Sequence, residues 1–308
     1  MGLRAYGPAD DKESLKVLHY AFEMGVNFWD TAEIYGPFKN EELLGKALKT
    51  LPREKLVIAT KFAWRFNEKN ERVALDSSPG NIKEAIEGSL KRLGTDYVDL
   101  YYQHRVDPNT PIEDTVGALG DLVKAGKIRH IGLSEASAVT IRRGHKIHPI
   151  TAVQSEYSLW ERGVEASVLP TLRELKIGFV PYSPIGRGFL SGKIQKFEDL
   201  PADDWRRTNP RFSKENFAQN FQLVTEVETL AKKIGATPAQ VALAWILKQG
   251  ESIVPIPGTK RIQYLEENSN SVFLKITPEQ WAPLETKIKN FKPFGDRYTA
   301  DMMKLLDQ

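Results

Sequence analysis

The chain alternates short apolar runs with longer segments whose apolar residues recur every three to four positions, the spacing of one helix face. Lys12–Met24 reads as a helix and leads to a strand near Asn27–Thr31. A helix near Asn40–Leu48 leads to Leu56–Lys61, and one near Gly80–Leu93 leads to Tyr97–Gln103. The pattern continues with Pro111–Ala125 and Ile128–Ser134, Ala138–His145 and Thr151–Ser155, Val164–Leu175 and Gly178–Tyr182, and Pro238–Lys248 and Ser252–Pro257. Strands joined by helices of this length require right-handed crossovers and make a parallel sheet. Ile177-Gly178-Phe179-Val180 is apolar almost throughout, as in strands covered on both faces. The pattern therefore predicts an α/β fold with a parallel sheet, read as a barrel formed by one domain over residues 1–308. Seven strands can be counted; residues 1–7 are too short and Gly-rich to supply an eighth before the first helix. Two long connections, Ala63–Pro79 and Ser183–Asn216, and the tail Phe291–Gln308 are expected to overhang the mouth at the strands' C-terminal ends.

That mouth is where such barrels place their chemistry. Asp30 and Tyr35 follow the first strand, Lys61 ends the second and His104 the third. A phenol alone is a weak acid near neutral pH. An ammonium beside it stabilises the phenolate, a carboxylate keeps the ammonium charged and in place, and an imidazole can bond the substrate oxygen. Taken singly, each residue is more readily a packed, capping or solvated side chain; their common position at one rim carries the reading. Ser134 and Gln154 end the next two strands and could grip a carboxamide such as that of nicotinamide. Tyr182 could stack on a flat ring. The run after it, Ser183, Pro184, Gly186, Arg187 and Gly188, could bring backbone N–H groups and one cation to a pyrophosphate. The dinucleotide fingerprint Gly-x-Gly-x-x-Gly is not matched there, because Gly192 is misplaced. Beyond the last strand, Gly258, Thr259, Lys260 and Arg261 precede a helix that Thr259 could cap, a setting that attracts phosphate.

Composition narrows the classes. At 308 residues, 41% hydrophobic and 27% charged, the chain can bury a large core. Its net charge of +3 is spread without a basic block, which gives no case for nucleic acid or an acidic membrane surface. No cysteine is present, so disulfides, thiolate zinc sites and thiol catalysis are excluded. The five histidines form no metal-ligating pair, and no apolar stretch approaches the roughly 18 residues of a membrane span. The expected location is the cytoplasm, with no resident metal and an oligomeric state left open.

The residues Asp-Thr-Ala-Glu-x-Tyr-Gly at 30–36, Ala-Thr-Lys at 59–61, Asp-Leu-Tyr-Tyr-Gln-His-Arg-Val-Asp at 99–107, Gly-Leu-Ser-Glu at 132–135, Gln-Ser-Glu-Tyr-Ser at 154–158, Tyr-Ser-Pro-Ile-Gly-Arg-Gly at 182–188 and Pro-Gly-Thr-Lys-Arg at 257–261 resemble an aldo-keto reductase, of the aldehyde or pyridoxal reductase-like branch. The resemblance runs from about Tyr6 to Tyr298. It implies a (β/α)₈ barrel that uses NADPH to reduce small aldehydes or ketones. It assigns proton donation to Tyr35, its tuning to Lys61 and Asp30, and carbonyl orientation to His104. It places Ser134 and Gln154 on the carboxamide, Tyr182 on the nicotinamide ring, and Gly258, Thr259, Lys260, Glu267 and Asn268 around the adenosine 2′-phosphate. Three departures stand out: Glu135 replaces a frequent Asn, Tyr264 replaces a frequent Arg or Gln, and the N-terminal hairpin and first barrel strand are expected to be missing, with Met1-Gly2-Leu3 resembling that strand's end. A cofactor-binding regulatory subunit with little turnover, like the relatives that bind potassium channels, is the alternative. An aldolase-type barrel with Lys61 as Schiff-base former ranks last.

Overall fold

The computed structural model describes residues 10–307; the expectations for residues 1–7 lie outside them. The chain begins with α1 (Asp11–Glu23), β1 (Phe28–Asp30), α2 (Lys39–Leu48) and β2 (Val57–Phe62). Asp10 starts α1 by accepting hydrogen bonds from the amides of Lys12 and Glu13 at 2.7 and 3.2 Å. A hairpin of β3 (Trp64–Phe66) and β4 (Arg72–Leu75) follows, formed within the long connection Ala63–Pro79. Regular alternation resumes with α3 (Pro79–Leu93), β5 (Val98–Gln103), α4 (Ile112–Lys124), β6 (Ile128–Ser134), α5 (Ala138–Ile147), β7 (Ile150–Glu156), α6 (Val168–Leu175) and β8 (Gly178–Tyr182). The last helices are α7 (Lys214–Ile234), α8 (Pro238–Leu247), α9 (Ile262–Ser269), α10 (Pro278–Asn290) and the short α11 (Ala300–Met303).

Six strands form one parallel sheet in the order β1-β2-β5-β6-β7-β8. The expected seventh strand at 252–257 is not a full strand. It bonds β8 through Phe179 N to Ser252 O and Val254 N to Phe179 O, both 2.9 Å, and through Ile256 N to Pro181 O at 3.2 Å. Pro181 on β8 has no N–H to donate to Val254 O, which breaks the ladder between these bonds. The sheet curls strongly: Gln154 Nε2 on β7 lies 2.9 Å from Asp30 Oδ2 on β1. Those strands are four intervals apart in the sheet, which would separate them by about 19 Å if it were flat.

The two-residue period of each strand sorts the side chains. Ile58, Phe62, Tyr101, Leu133, Val153 and Phe179 face the helices in the large outer core, whereas Ala59, Leu100, Tyr102, Ala152 and Val180 form a smaller cluster of their own. The same parity that puts Ala59, Tyr102, Ala152 and Val180 in the smaller cluster carries Asp30, Lys61, His104, Ser134, Gln154 and Tyr182 to one end of the cylinder. Gly132 is required at this point, because a Cβ there would lie 2.3 Å from the Tyr102 ring.

The 21-residue helix α7 was not among the expected elements. Its apolar positions Phe217, Leu223, Val224, Val227 and Leu230 do recur at helical spacing and are buried. Between β8 and α7 the long connection is built of short 3₁₀ turns.

Candidate active site

Lys61 is fully buried where β2 ends. Its Nζ forms an ion pair with Asp30 Oδ1 and donates to Thr31 O at 2.8 Å. It also lies 5.1 Å from the centre of the Tyr35 ring. Burial pushes this ammonium toward its neutral form, but the Asp30 carboxylate and the Tyr35 phenol outweigh burial and hold it above the ordinary lysine range. Asp30 is fixed from both sides, by Lys61 on one oxygen and Gln154 on the other. The His104 ring meets Tyr35 edge to face, with centroids 5.8 Å apart. Burial, together with the positive charges of Arg105 and Lys61, pushes His104 well below the ordinary imidazole range, so the ring is neutral. Its Nδ1 is buried and has no hydrogen-bond partner among the described residues. All four residues expected from the sequence therefore converge. The arrangement can deliver a proton from a phenol to an oxygen atom and stabilise the phenolate left behind.

The turn carrying Tyr35 is held by Glu33, which sequence reasoning passed over. Glu33 Oε1 accepts from the amides of Ala63 and Trp64 at 3.2 and 3.1 Å. Ala63 has φ 145°, a conformation rare for residues with a Cβ, and this carboxylate helps hold it there. Burial pushes Glu33 up from 4.5 to about 8, against the pull of the Trp64 amide, with the Glu41 carboxylate adding to the rise. Since folding raises this pKa, the stability it contributes is complete below about 4.5 and is lost as pH rises toward 8. Glu33→Gln keeps an acceptor for both amides and removes the titration. Its melting temperature should gain on wild type steadily between pH 5 and 8; a gap that does not change with pH would contradict this assignment.

Ser134, at the end of β6, is buried, and its Oγ lies 3.5 Å from Arg105 Nη1. Tyr182 shares a 2.7 Å hydrogen bond with Tyr298 of the tail. Burial raises both phenols, so both stay protonated. The tail is fastened here. Arg297 makes a two-pronged pair with Glu135 at 3.1 and 2.5 Å, and Ser137 N donates to Asp307 Oδ2 at 2.9 Å. The expected overhang of the tail is thus present through residue 307. Glu135 itself adopts φ 55°, and its carboxyl is kept below the usual range because Arg297 outweighs the cost of burial.

The 183–188 run makes a tight turn in which Ser183, Gly186, Arg187 and Gly188 all have positive φ. At Gly186 a Cβ would lie 2.9 Å from the Trp160 indole nitrogen, so glycine is needed for space as well as conformation. Pro184 is buried behind it. The Arg187 side chain points into the protein. It pairs with Glu156 at 2.8 Å, donates to Arg297 O at 2.8 Å and lies over the Tyr298 ring at 4.5 Å.

The second group, Gly258 to Asn268, lies on the loop after the irregular seventh strand and on α9. Thr259 does not cap that helix: Arg261 is the N-cap residue, and Thr259 Oγ1 accepts from Arg261 N at 3.1 Å. The loop turns too early for the threonine to reach the first helical turn. Lys260 is partly buried and Arg261 exposed, and burial together with Arg261 lowers the Lys260 pKa. Lys193 comes from the 183–216 connection to lie 3.8 Å from the Tyr264 ring centre and 3.8 Å from Glu267. Asn268 is buried, and its carbonyl accepts from Ser271 Oγ at 2.7 Å. Among the described residues there is no cluster of acidic or histidine side chains able to hold a metal, and no helix long and apolar enough to cross a membrane.

Sequence reading did not single out Arg105, Arg297 or Tyr298. Arg105 had one visible signal, its position directly after His104 at a strand end. The tail residues had none, because only the three-dimensional path brings them to the mouth.

The Aldo/keto reductase family profile matches residues 1–289. A probable aldo-keto reductase 1 of Glycine max is 48% identical over 300 residues, covering 97% of this chain and 86% of the relative. The aldo-keto reductase yakc [NADP(+)] of Schizosaccharomyces pombe is 44% identical over 303 residues, covering 97% and 89%. Among solved structures, a glycerol dehydrogenase from Gluconobacter oxydans superposes with a TM-score of 0.83 at 30% identity, over 92% of this chain and 87% of that one. The curled parallel sheet is that of a (β/α)₈ barrel, and the chain belongs to the aldo/keto reductase family of oxidoreductases.

Proposed function

We propose that the protein is an NADPH-dependent reductase of small aldehydes or ketones, working in the cytoplasm as one domain, with Tyr35 as proton donor. The observation that carries this reading is the fully buried Lys61 ammonium, ion-paired to Asp30 and 5.1 Å from the Tyr35 ring centre. The residues suit the cofactor. The unpartnered, buried Nδ1 of His104 is a polar atom the described residues leave unsatisfied, and the Ser134 and Gln154 side chains stand nearby at strand ends. Tyr182, the backbone of the 183–188 turn and the basic residues Lys260 and Arg261 suit the ring, pyrophosphate and adenosine phosphate respectively. Glu267 and Asn268 complete the adenosine end. The NADP(+) in the name of the fission-yeast relative supports the same choice.

NADPH, when bound, supplies the hydride. Tyr35 gives the proton on its Oη to the substrate oxygen, Lys61 stabilises the resulting phenolate and Asp30 keeps Lys61 in place. His104, neutral, holds the carbonyl oxygen by a hydrogen bond. Low local dielectric strengthens each of these interactions. The test is NADPH oxidation with a panel of aldehydes: steady turnover supports the reading, and tight NADPH binding with negligible turnover on every member favours a regulatory binding role instead. Because His104 is neutral, kcat/KM should show no ionisation near the ordinary imidazole value of 6.5. A limb at that pH, absent in His104→Gln, would contradict the assignment.

A further inference from the structure

No carboxylate among the described residues forms an ion pair with the Arg105 guanidinium, which lies beside His104 at the mouth. Two acids face this region, Glu135 and Glu156. Glu135 is gripped by both prongs of Arg297, and Glu156 by Arg187 at 2.8 Å with Arg297 at 3.8 Å. Asp30 is committed to Lys61, and His104 is neutral. Arg105 uses only Nη1, on His104 O at 2.6 Å and more distantly on Ser134 Oγ at 3.5 Å. Its Nε and Nη2 bond to none of the described residues, and the side chain stays partly open to solvent. Burial works against its charge, but the phenols of Tyr182, Tyr298 and Tyr35 and the more distant Glu135 carboxylate outweigh that cost, so the guanidinium stays charged. A planar fork of free N–H groups held in this recess matches a two-oxygen anion.

We propose that Arg105 forms an oxyanion subsite, so that the preferred carbonyl substrates carry a carboxylate or phosphate group that Arg105 binds through Nε and Nη2. The subsite is separate from the carbonyl-oxygen position beside Tyr35 and His104, and it makes Arg105 a specificity-determining residue. This rests on the function proposed above and names its substrate class.

The experiment uses matched pairs: a series of ω-oxo acids of increasing chain length against their methyl esters, and glyceraldehyde 3-phosphate against glyceraldehyde. The wild-type protein should prefer the charged member at least tenfold in kcat/KM at one or more chain lengths, or in the phosphate pair; which pair shows the preference identifies the anion. Arg105→Met should bring that ratio to within about twofold of unity, and Arg105→Lys should retain part of it. A wild-type ratio at or below one in every pair, or a ratio unchanged in Arg105→Met, overturns the proposal. A second readout is independent of turnover. Succinate or inorganic phosphate should raise the melting temperature of the NADPH-loaded wild type and not of Arg105→Met. Anion stabilisation equal in both proteins, or none in either, overturns the subsite. Turnover of esters and neutral aldehydes without any anion preference leaves the reductase standing and the subsite refuted, so the two failures are distinct.

Discussion

Replacing Lys61 with Met is expected to lower reduction by about 10²- to 10⁴-fold, the usual range for losing acid–base assistance. Without the ammonium the phenolate left on Tyr35 has no cation beside it. The same change leaves Asp30, only 8% exposed at its side chain, without its ion-pair partner. Breaking a buried pair from one side costs about 3–5 kcal/mol, and the melting temperature should fall by roughly 5–15 °C. Asp30 would keep only the bond from Gln154. Because one residue serves both stability and chemistry, a second variant separates the two. Lys61→Met combined with Asp30→Asn should recover most of the lost stability and none of the activity. Activity restored along with stability would mean that Lys61 matters only for folding.

The second large effect concerns the tail. Arg187→Met should destabilise the protein by about 3–5 kcal/mol, since it leaves Glu156 buried with Arg297 at 3.8 Å as its remaining partner. It also removes the bond to Arg297 O and the cation over Tyr298, which hold residues 297 and 298 against the mouth. Faster proteolysis or hydrogen exchange over residues 295–300 should accompany the lower melting temperature. Sequence reasoning placed this arginine on the cofactor pyrophosphate. Were that its main work, the variant would lose NADPH affinity with little change in stability. Calorimetry and NADPH titration on one preparation tell the two apart.

The candidate site was legible because it depends on local rules. A polar residue at the end of an apolar run, with the two-residue parity of a strand, has to emerge at the mouth. Asp30, Lys61, His104, Ser134 and Gln154 all obey that rule. Tyr35 lies beyond its strand, but the short turn held by Glu33 returns it to Lys61. What was not legible depends on long-range paths. Nothing local in Arg297-Tyr298 announces that the tail crosses the barrel to reach Glu135 and Tyr182. Arg187 looked like a phosphate ligand because it sits between two glycines, and its positive φ instead turns the side chain inward to Glu156. The last strand looked continuous because Ile253, Val254 and Ile256 are apolar, whereas Pro181 of the neighbouring strand lacks the N–H that would complete its ladder. Helix α7 was legible in principle, because its apolar stripe recurs at helical spacing, and nothing physical hid it.

Everything functional here depends on the Tyr35 hydroxyl being the proton source in a preformed, charge-balanced pocket. The most direct test is single-turnover oxidation of enzyme-bound NADPH by excess aldehyde, with NADPH affinity measured on the same samples of wild type and Tyr35→Phe. The account predicts a single-turnover rate at least about 10²-fold slower in Tyr35→Phe, with NADPH bound as tightly as before. A Tyr35→Phe rate within a few fold of wild type would contradict it.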